Sequence, residues 1–319
     1  WSTIKERVFR CDAVIFACLA IRNEMATKQY PYIKKLLSSN IPLYVISAGT
    51  AVPINVIDKA ITSGLSLETK KCLQDLDKKA VVFGTRGYLS QLFMEKVGSK
   101  RSHFTGDIAF YDKKWSEQAF RVGYSIKKIV ISDPHYAGKY INALEKLVDE
   151  ISETFPKAEL TIALHGNESI ARKFAENRNI SYKRIYEDKQ DGLNIYDDAD
   201  LHVGFRVHGH VSMLKRRKYS YLLEQDGRGC DYGLTIDRKI SIPCYRTVSN
   251  TGIYILDKVF NSQRISPVIK KTPVDLKAID QMVALIQQDK DNDFRKFLGL
   301  EKQLESFVNL LCSDVSKLP

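Results

Sequence analysis

The sequence predicts an α/β protein made of two Rossmann-like parallel-sheet halves facing a central cleft. Three observations carry this. Short apolar runs that read as strands alternate with segments of helical spacing, the pattern of βαβ units. That alternation stops in a polar stretch at 113–124 and restarts at Lys128. The length, 319 residues, exceeds one ordinary core and fits two α/β domains of about 150 residues each.

In the first half, 13–17 reads as a strand, 27–38 as a helix, 42–47 as a strand and 67–78 as a helix. The segments 80–84, 86–97 and 107–110 follow as strand, helix and short strand. In the second half, 128–132 is a strand, 136–153 a long amphipathic helix and 159–165 a strand. Then come a helix at 168–177, a strand at 180–185, and strands ending at Phe205 and Glu224. Beyond Pro273, the segments 274–288 and 293–311 carry apolar residues at three- and four-residue spacing. Such a helix pair packs back over a core. The expected division is 1–125, 126–272 and 273–319. The chain opens on Trp1 and not on Met, so it reads as a piece of something longer, truncated at its start.

Composition narrows the function classes. The chain is 44% hydrophobic and 27% charged, a globular balance. No apolar run reaches the roughly 18 residues that span a bilayer, and no signal peptide is visible. The six cysteines (Cys11, Cys18, Cys72, Cys230, Cys244, Cys312) form no CxxC pair. That argues for a reducing compartment and against a zinc ribbon. A net charge of +11 favours anionic partners, with general solubility as the plain alternative.

The richest stretch runs from Ala199 to Gly233. An apolar run ends in Arg206-Val207-His208-Gly209-His210, and a second ends in Asp226-Gly227-Arg228-Gly229. Two strand ends thus bring Arg, His, Asp and Arg to one sheet edge, where open α/β sheets bind ligands. Arg suits an anion and His a proton transfer. A structural ion pair for Arg206 and a helix cap for His208 are the plain alternatives. Gly84-Thr85-Arg86-Gly87 is a helix N-terminus with an Arg, suited to an anion, or an ordinary βα turn. Ser47-Ala48-Gly49-Thr50 is a close-approach loop or a tight turn. Asp133-Pro134-His135 ends the first strand of the second half. There Asp133 reads equally as a cap, and His135 would lie near the cleft. Five of the six histidines lie in the second half, but no HxxxH or HExxH spacing supports a metal. His202, inside a strand, reads as structural. Lys215-Arg216-Arg217-Lys218 reads as a solvated helix end before a contact with phosphate, membrane lipid or an acidic glycan. No recognition signature supports nucleic-acid binding. Neither GxGxxG nor GxxxxGK[ST] occurs.

Read together, these pieces resemble the polysaccharide pyruvyl transferase family. Phe205-Arg206-Val207-His208-Gly209 and Asp226-Gly227-Arg228 match its C-terminal Arg-x-His-Gly and Asp-x-Arg elements. Cys11-Asp12-Ala13-Val14-Ile15, Ile41 through Gly49, Phe83 through Gly98 (with Ser90 and Leu92) and Gly106-Asp107 match its N-terminal elements. The resemblance spans about 11–240. Ala17-Cys18-Leu19-Ala20 stands where the family usually has a Gly-rich turn, and Asp133-Pro134-His135 where it often has an Arg.

The resemblance implies a GT-B-like fold and a cytoplasmic pyruvyltransferase of polysaccharide biosynthesis, working in part at the inner membrane surface. It implies phosphoenolpyruvate as donor, a sugar of a cell-surface glycan or a lipid-linked sugar as acceptor, and no cofactor or metal. Arg206 would pair with the donor's carboxylate or phosphate, and His208 would protonate the enol methylene. His135, Asp133, Arg86, Asp226 and Arg228 would bind substrate. Two other readings stay open: a GT-B glycosyltransferase using a nucleotide sugar, and a non-catalytic glycan-binding module of a larger enzyme.

Overall fold

The computed structural model describes residues 5–50, 65–167, 169–245 and 273–319. After a single turn α1 (Lys5–Val8), the first sheet is built from β1 (Val14–Ala17), β2 (Ala20–Ile21), β3 (Leu43–Thr50), β4 (Val82–Thr85) and β5 (His103–Phe104). Its order is β1-β3-β4-β5, with β2 also on β3, and every pairing is parallel. All eight residues of β3 are buried, as a continuous apolar run in a two-sided parallel sheet requires. Helices α2 (Ile33–Leu37), α3 (Leu67–Lys79) and α4 (Tyr88–Val97) connect the strands.

Two expectations change here. The helix expected at 27–38 is broken into a π-helical turn, Met25–Gln29, and the five-residue α2. Pro31 lies between them and can neither donate its backbone N–H nor continue a helix. The strand expected at 107–110 is a single 3-10 turn, Ile108–Phe110. Asp107 caps it by accepting from the Ala109 N–H at 2.8 Å. Ser47, at φ 54°, sits where the β3–β4 register shifts. Its hydroxyl accepts from the Ile108 N–H at 2.9 Å and donates to the Gly106 carbonyl at 3.1 Å. The bulge in β3 thereby fixes the turn that leads into the second half.

The second sheet contains β6 (Lys128–Ser132), β7 (Glu159–Leu164), β8 (Ser181–Arg184), β9 (Leu201–Gly204), β10 (Tyr219–Glu224) and β11 (Ser241–Pro243). It is parallel throughout, in the order β11-β10-β9-β6-β7-β8. The chain therefore winds one way from β6 to β8, then returns to the other side of β6 with β9. The strand order reverses between β6 and β9, and a ligand crevice opens outside the carboxyl ends at such a point. The helices of this half are α5 (Ala137–Thr154), α6 (Ser169–Asn177), α7 (Ile195–Asp198), α8 (Val207–Lys215) and α9 (Gly227–Thr235). Helix α5 shows how the pattern works. Tyr140, Ala143, Leu144, Leu147, Val148 and Ile151 recur at three- and four-residue spacing, and all are buried. Each such Leu contributes about 1.5–3 kcal/mol by leaving water. Glu168, expected to open α6, lies outside the described residues, as does the boundary expected at 272.

The C-terminal helices α10 (Lys277–Asp291) and α11 (Leu300–Val315) do pack back. Helix α10 lies on α5, β10 and β11, while α11 reaches across to β3, β4 and the 108–110 turn. An imidazole–carboxylate contact ties His103 of β5 to Asp314 of α11 at 2.9 Å.

Candidate active site

The point where the strand order reverses gathers the predicted residues. Gly204, the last residue of β9, runs so close to β6 that a Cβ there would lie 2.5 Å from the Ser132 hydroxyl. The two strand ends that follow are therefore neighbours: Asp133-Pro134-His135 after β6, and Arg206-Val207-His208 after β9. Gln225, after β10, braces both, accepting from the His135 N–H at 3.0 Å and donating to the Phe205 carbonyl at 3.0 Å.

Arg206 is buried and its guanidinium is held by protein. Nε donates to Asp133 Oδ1 at 2.9 Å, Nη2 to Asp133 Oδ2 at 2.7 Å and to the Pro134 carbonyl at 3.3 Å, and Nη1 bonds His135 Nδ1 at 3.0 Å. The open clamp expected at Arg206 is thus filled by the buried carboxylate of Asp133. The physical reason is charge: a guanidinium and a carboxylate that both leave water need one another. Because Arg can only donate, His135 Nδ1 accepts, which leaves the proton of a neutral ring on Nε2.

His208 lies in the first turn of α8 and is exposed. Burial, then the charges of Arg228 and Arg206, hold its imidazole below the ordinary value; Asp107 acts the other way, and Arg86 adds to the lowering. The positive charges of three arginines thus act on one histidine, two from the second half and Arg86 from the first. Asp226 caps α9, accepting from the Arg228 N–H at 2.9 Å and the Gly229 N–H at 3.2 Å. The same carboxylate grips the Arg228 guanidinium at 2.6 Å. Burial opposes the Asp226 charge, but Arg228 and the cap bonds more than offset it, so its carboxyl lies below the usual range. The Arg228 side chain remains 28% exposed.

The helix N-terminus behind Arg86 does hold an anion, and that anion belongs to the chain. Asp231 of α9 accepts from the Ser90 N–H at 3.1 Å and from Arg86 Nε at 3.3 Å. Arg86 Nη2 donates to the Thr50 carbonyl at 3.1 Å. Beside it, the Tyr232 hydroxyl donates to Asp107. Arg86 thus commits Nε to the contact between the halves and Nη2 to a carbonyl of its own half.

Below the surface, His202 bonds Ser220 Oγ at 2.8 Å and Ser132 Oγ at 2.9 Å, and His210 bonds Ser220 Oγ at 2.8 Å. His202 is structural, as expected. The 215–218 run is not a solvated helix end. Arg216 and Arg217 are buried, and Arg216 pairs with Asp197 at 2.5 Å. Arg217 Nε donates to the Gln118 carbonyl at 3.0 Å, and Lys218 Nζ to the Ala199 carbonyl at 2.8 Å. Free carbonyls at the ends of neighbouring turns capture these cations. Sequence reasoning missed Asp107, Asp231, Tyr232 and His165 as residues of this region. Asp231 and Tyr232 lie just beyond Cys230 in the 199–233 stretch, but no spacing there points to their partners in the first half.

The two parallel sheets, with these residues at the strand ends of the second, have a GT-B-like fold. The family model described as polysaccharide pyruvyl transferase matches residues 26–212, more than half of the chain, and the chain belongs to that family. No curated protein matches it. Among solved structures it is similar to a putative UDP-N-acetylglucosamine 2-epimerase from Listeria monocytogenes. That likeness has 13% identity and a TM-score of 0.51 and covers 91% of this chain and 76% of that one. It is also similar to MnaA of S. aureus in complex with UDP, at 12% identity and a TM-score of 0.48, covering 91% and 77%. At such identities the first likeness speaks for the fold alone.

Proposed function

We propose that this chain moves the pyruvyl group of phosphoenolpyruvate onto two hydroxyls of one sugar of a cell-surface glycan, forming a cyclic ketal. The family match over residues 26–212 supports this reading, together with the neighbouring strand ends that carry Arg206, His208 and Arg228. Phosphoenolpyruvate is small and strongly anionic, and such a donor fits a cationic cleft with a proton donor at its centre.

In this scheme Arg228 is the principal ligand of the donor, with Asp226 fixing its orientation. Arg206 and Arg86 supply positive potential, and Asp133 and His135 hold Arg206 and line the donor side. His208 gives its proton to the methylene carbon, which makes the adjacent carbon electrophilic. A sugar hydroxyl adds there and loses its proton. The bond to the phosphate oxygen then breaks, inorganic phosphate leaves, and the second hydroxyl of the same sugar closes the ketal. One proton enters the methyl group and two leave the hydroxyls; one of these restores His208 and the other goes with phosphate or to solvent. No metal or cofactor enters the scheme.

The division into 1–125, 126–272 and 273–319 belongs to the same proposal, supported by the two sheets on either side of 125. We place the reaction in the cytoplasm, with peripheral attachment to the inner membrane surface when the acceptor is lipid-linked; the net charge of +11 supports attraction to anionic lipid. Among the described residues no helix is long and apolar enough to cross a membrane. Membership of a longer multidomain chain is part of the proposal too. The test is release of inorganic phosphate from phosphoenolpyruvate over a panel of glycans and lipid-linked sugars. Acceptor-dependent release is expected. Stabilisation by nucleoside diphosphates, with no release on any acceptor, would transfer the reading to a nucleotide-sugar glycosyltransferase.

A further inference from the structure

His165 follows β7 and stands one strand away from the reversal point. Its backbone N–H donates to Asp133 Oδ1 at 2.9 Å, so the strand end is tied to the Arg206 pair. Its ring Nε2 lies 2.7 Å from the hydroxyl of Tyr196. Tyr196 is fully buried, and among the described residues its hydroxyl has no other hydrogen-bond partner. A buried hydroxyl must place its proton on an acceptor. The Tyr196 O–H therefore donates to Nε2, which fixes the tautomer with the ring proton on Nδ1.

That Nδ1–H has no acceptor among the described residues, and the ring carrying it is half-buried. The ring lies nearly parallel to that of His208, at 20° and 6.4 Å between centroids. Two imidazoles at that spacing do not touch. Burial, with Arg206 and His208 adding to it, lowers the His165 imidazole to about 3, so it stays neutral wherever the enzyme works. It is a donor that does not titrate, placed beside one that does.

We propose that His165 is a further donor-binding residue, whose Nδ1–H donates to an anionic oxygen of phosphoenolpyruvate held against His208. The inference rests on the donor assignment above and adds a ligand from β7 to those from β6, β9 and α9.

The experiment measures phosphoenolpyruvate binding by calorimetry, with no acceptor present, for the wild type and for His165→Ala, His165→Asn and His165→Gln. Near-UV circular dichroism and Tm without ligand accompany each. The Asn amide N–H takes the place of Nδ1–H, whereas the Gln amide takes that of Nε2. Loss of one hydrogen bond to a charged group weakens Kd by about ten- to a hundredfold. That loss is expected for Ala and Gln, with Asn within about threefold of the wild type. Wild-type affinity in His165→Ala would overturn the inference and leave the donor reading standing. Equal losses in all three variants, with a lowered Tm, would assign His165 to structure alone and overturn it as well. A wild type that does not bind phosphoenolpyruvate would remove the donor reading and this inference with it.

Discussion

Ser90 donates twice to Asp231, its N–H to Oδ1 at 3.1 Å and its hydroxyl to Oδ2 at 2.5 Å, across 141 residues of sequence. Asp231 is fully buried and belongs to α9, while Ser90 lies in the first turn of α4. A carboxylate from one half thus caps a helix of the other, where backbone N–H groups and the helix dipole favour an anion. The contact joins α4 of the first half to α9 of the second. Ser90→Ala is expected to cost about 1–3 kcal/mol, because it strips a partner from a buried carboxylate. Gly87→Ala is expected to cost more, since a Cβ there would stand 2.2 Å from Asp231 Oδ1. Urea unfolding measures both, and wild-type stability in Gly87→Ala would contradict the contact.

Arg228→Lys separates binding from chemistry. The guanidinium grips Asp226 through Nη2 at 2.6 Å and Nε at 3.1 Å, a fork that an ammonium cannot reproduce. The KM for phosphoenolpyruvate is expected to rise about tenfold or more, with a smaller change in kcat. Steady-state kinetics with saturating acceptor reads the split. A fall in kcat at unchanged KM would place Arg228 outside the donor site.

The pH profile reports the arginine field on His208. Without ligand, burial and then Arg228 and Arg206 lower its imidazole below the ordinary value. In the proposed scheme the acid form is the active one, so kcat/KM is expected to fall as pH rises through that lowered value. A bound anionic donor offsets the arginines and raises the His208 value, so kcat falls only at higher pH. Arg228→Gln should move the kcat/KM limb upward. Coincident limbs for kcat and kcat/KM in the wild type would count against donor-induced loading of the acid.

Acid should weaken the fold well before its carboxylates titrate. Burial lowers His210 to about 3 and His202 well below its ordinary value, so both stay neutral when folded. Unfolded, each takes a proton near pH 6.5. The unfolded state binds more protons in that window, so stability falls as pH drops below about 6.5. Between pH 7 and pH 5.5 the two together cost about 2–3 kcal/mol. Denaturant melts across that range check this. His210→Gln should reduce the slope by about one proton, and an unchanged slope would contradict the assignment.

Much of this was readable in advance, because the signals were local. The strand at 128–132 appears with those bounds, and the strand ends carrying Arg206, His208, Asp226 and Arg228 meet at the reversal point. Local signals also misled. The apolar spacing of 27–38 concealed the effect of Pro31, and the basic run at 215–218 gave no hint of the carbonyls that bury Arg217. Asp231 was unreadable for another reason. Its partners, Arg86 and Ser90, lie in the other half, and no spacing in the sequence connects them. His165 escaped because its proposed role depends on Tyr196, whose hydroxyl reaches it from a separate helix.

The central claim, that His208 protonates a donor carbon to start pyruvyl transfer, is tested most directly in deuterium oxide. Wild-type protein, phosphoenolpyruvate and a productive acceptor are combined there, and the ketal methyl group is examined by mass spectrometry and NMR. The account expects one deuterium in that methyl group, with product formation at least about a hundredfold slower in a folded His208→Ala variant. A ketal methyl without deuterium, or undiminished turnover in His208→Ala, would contradict it.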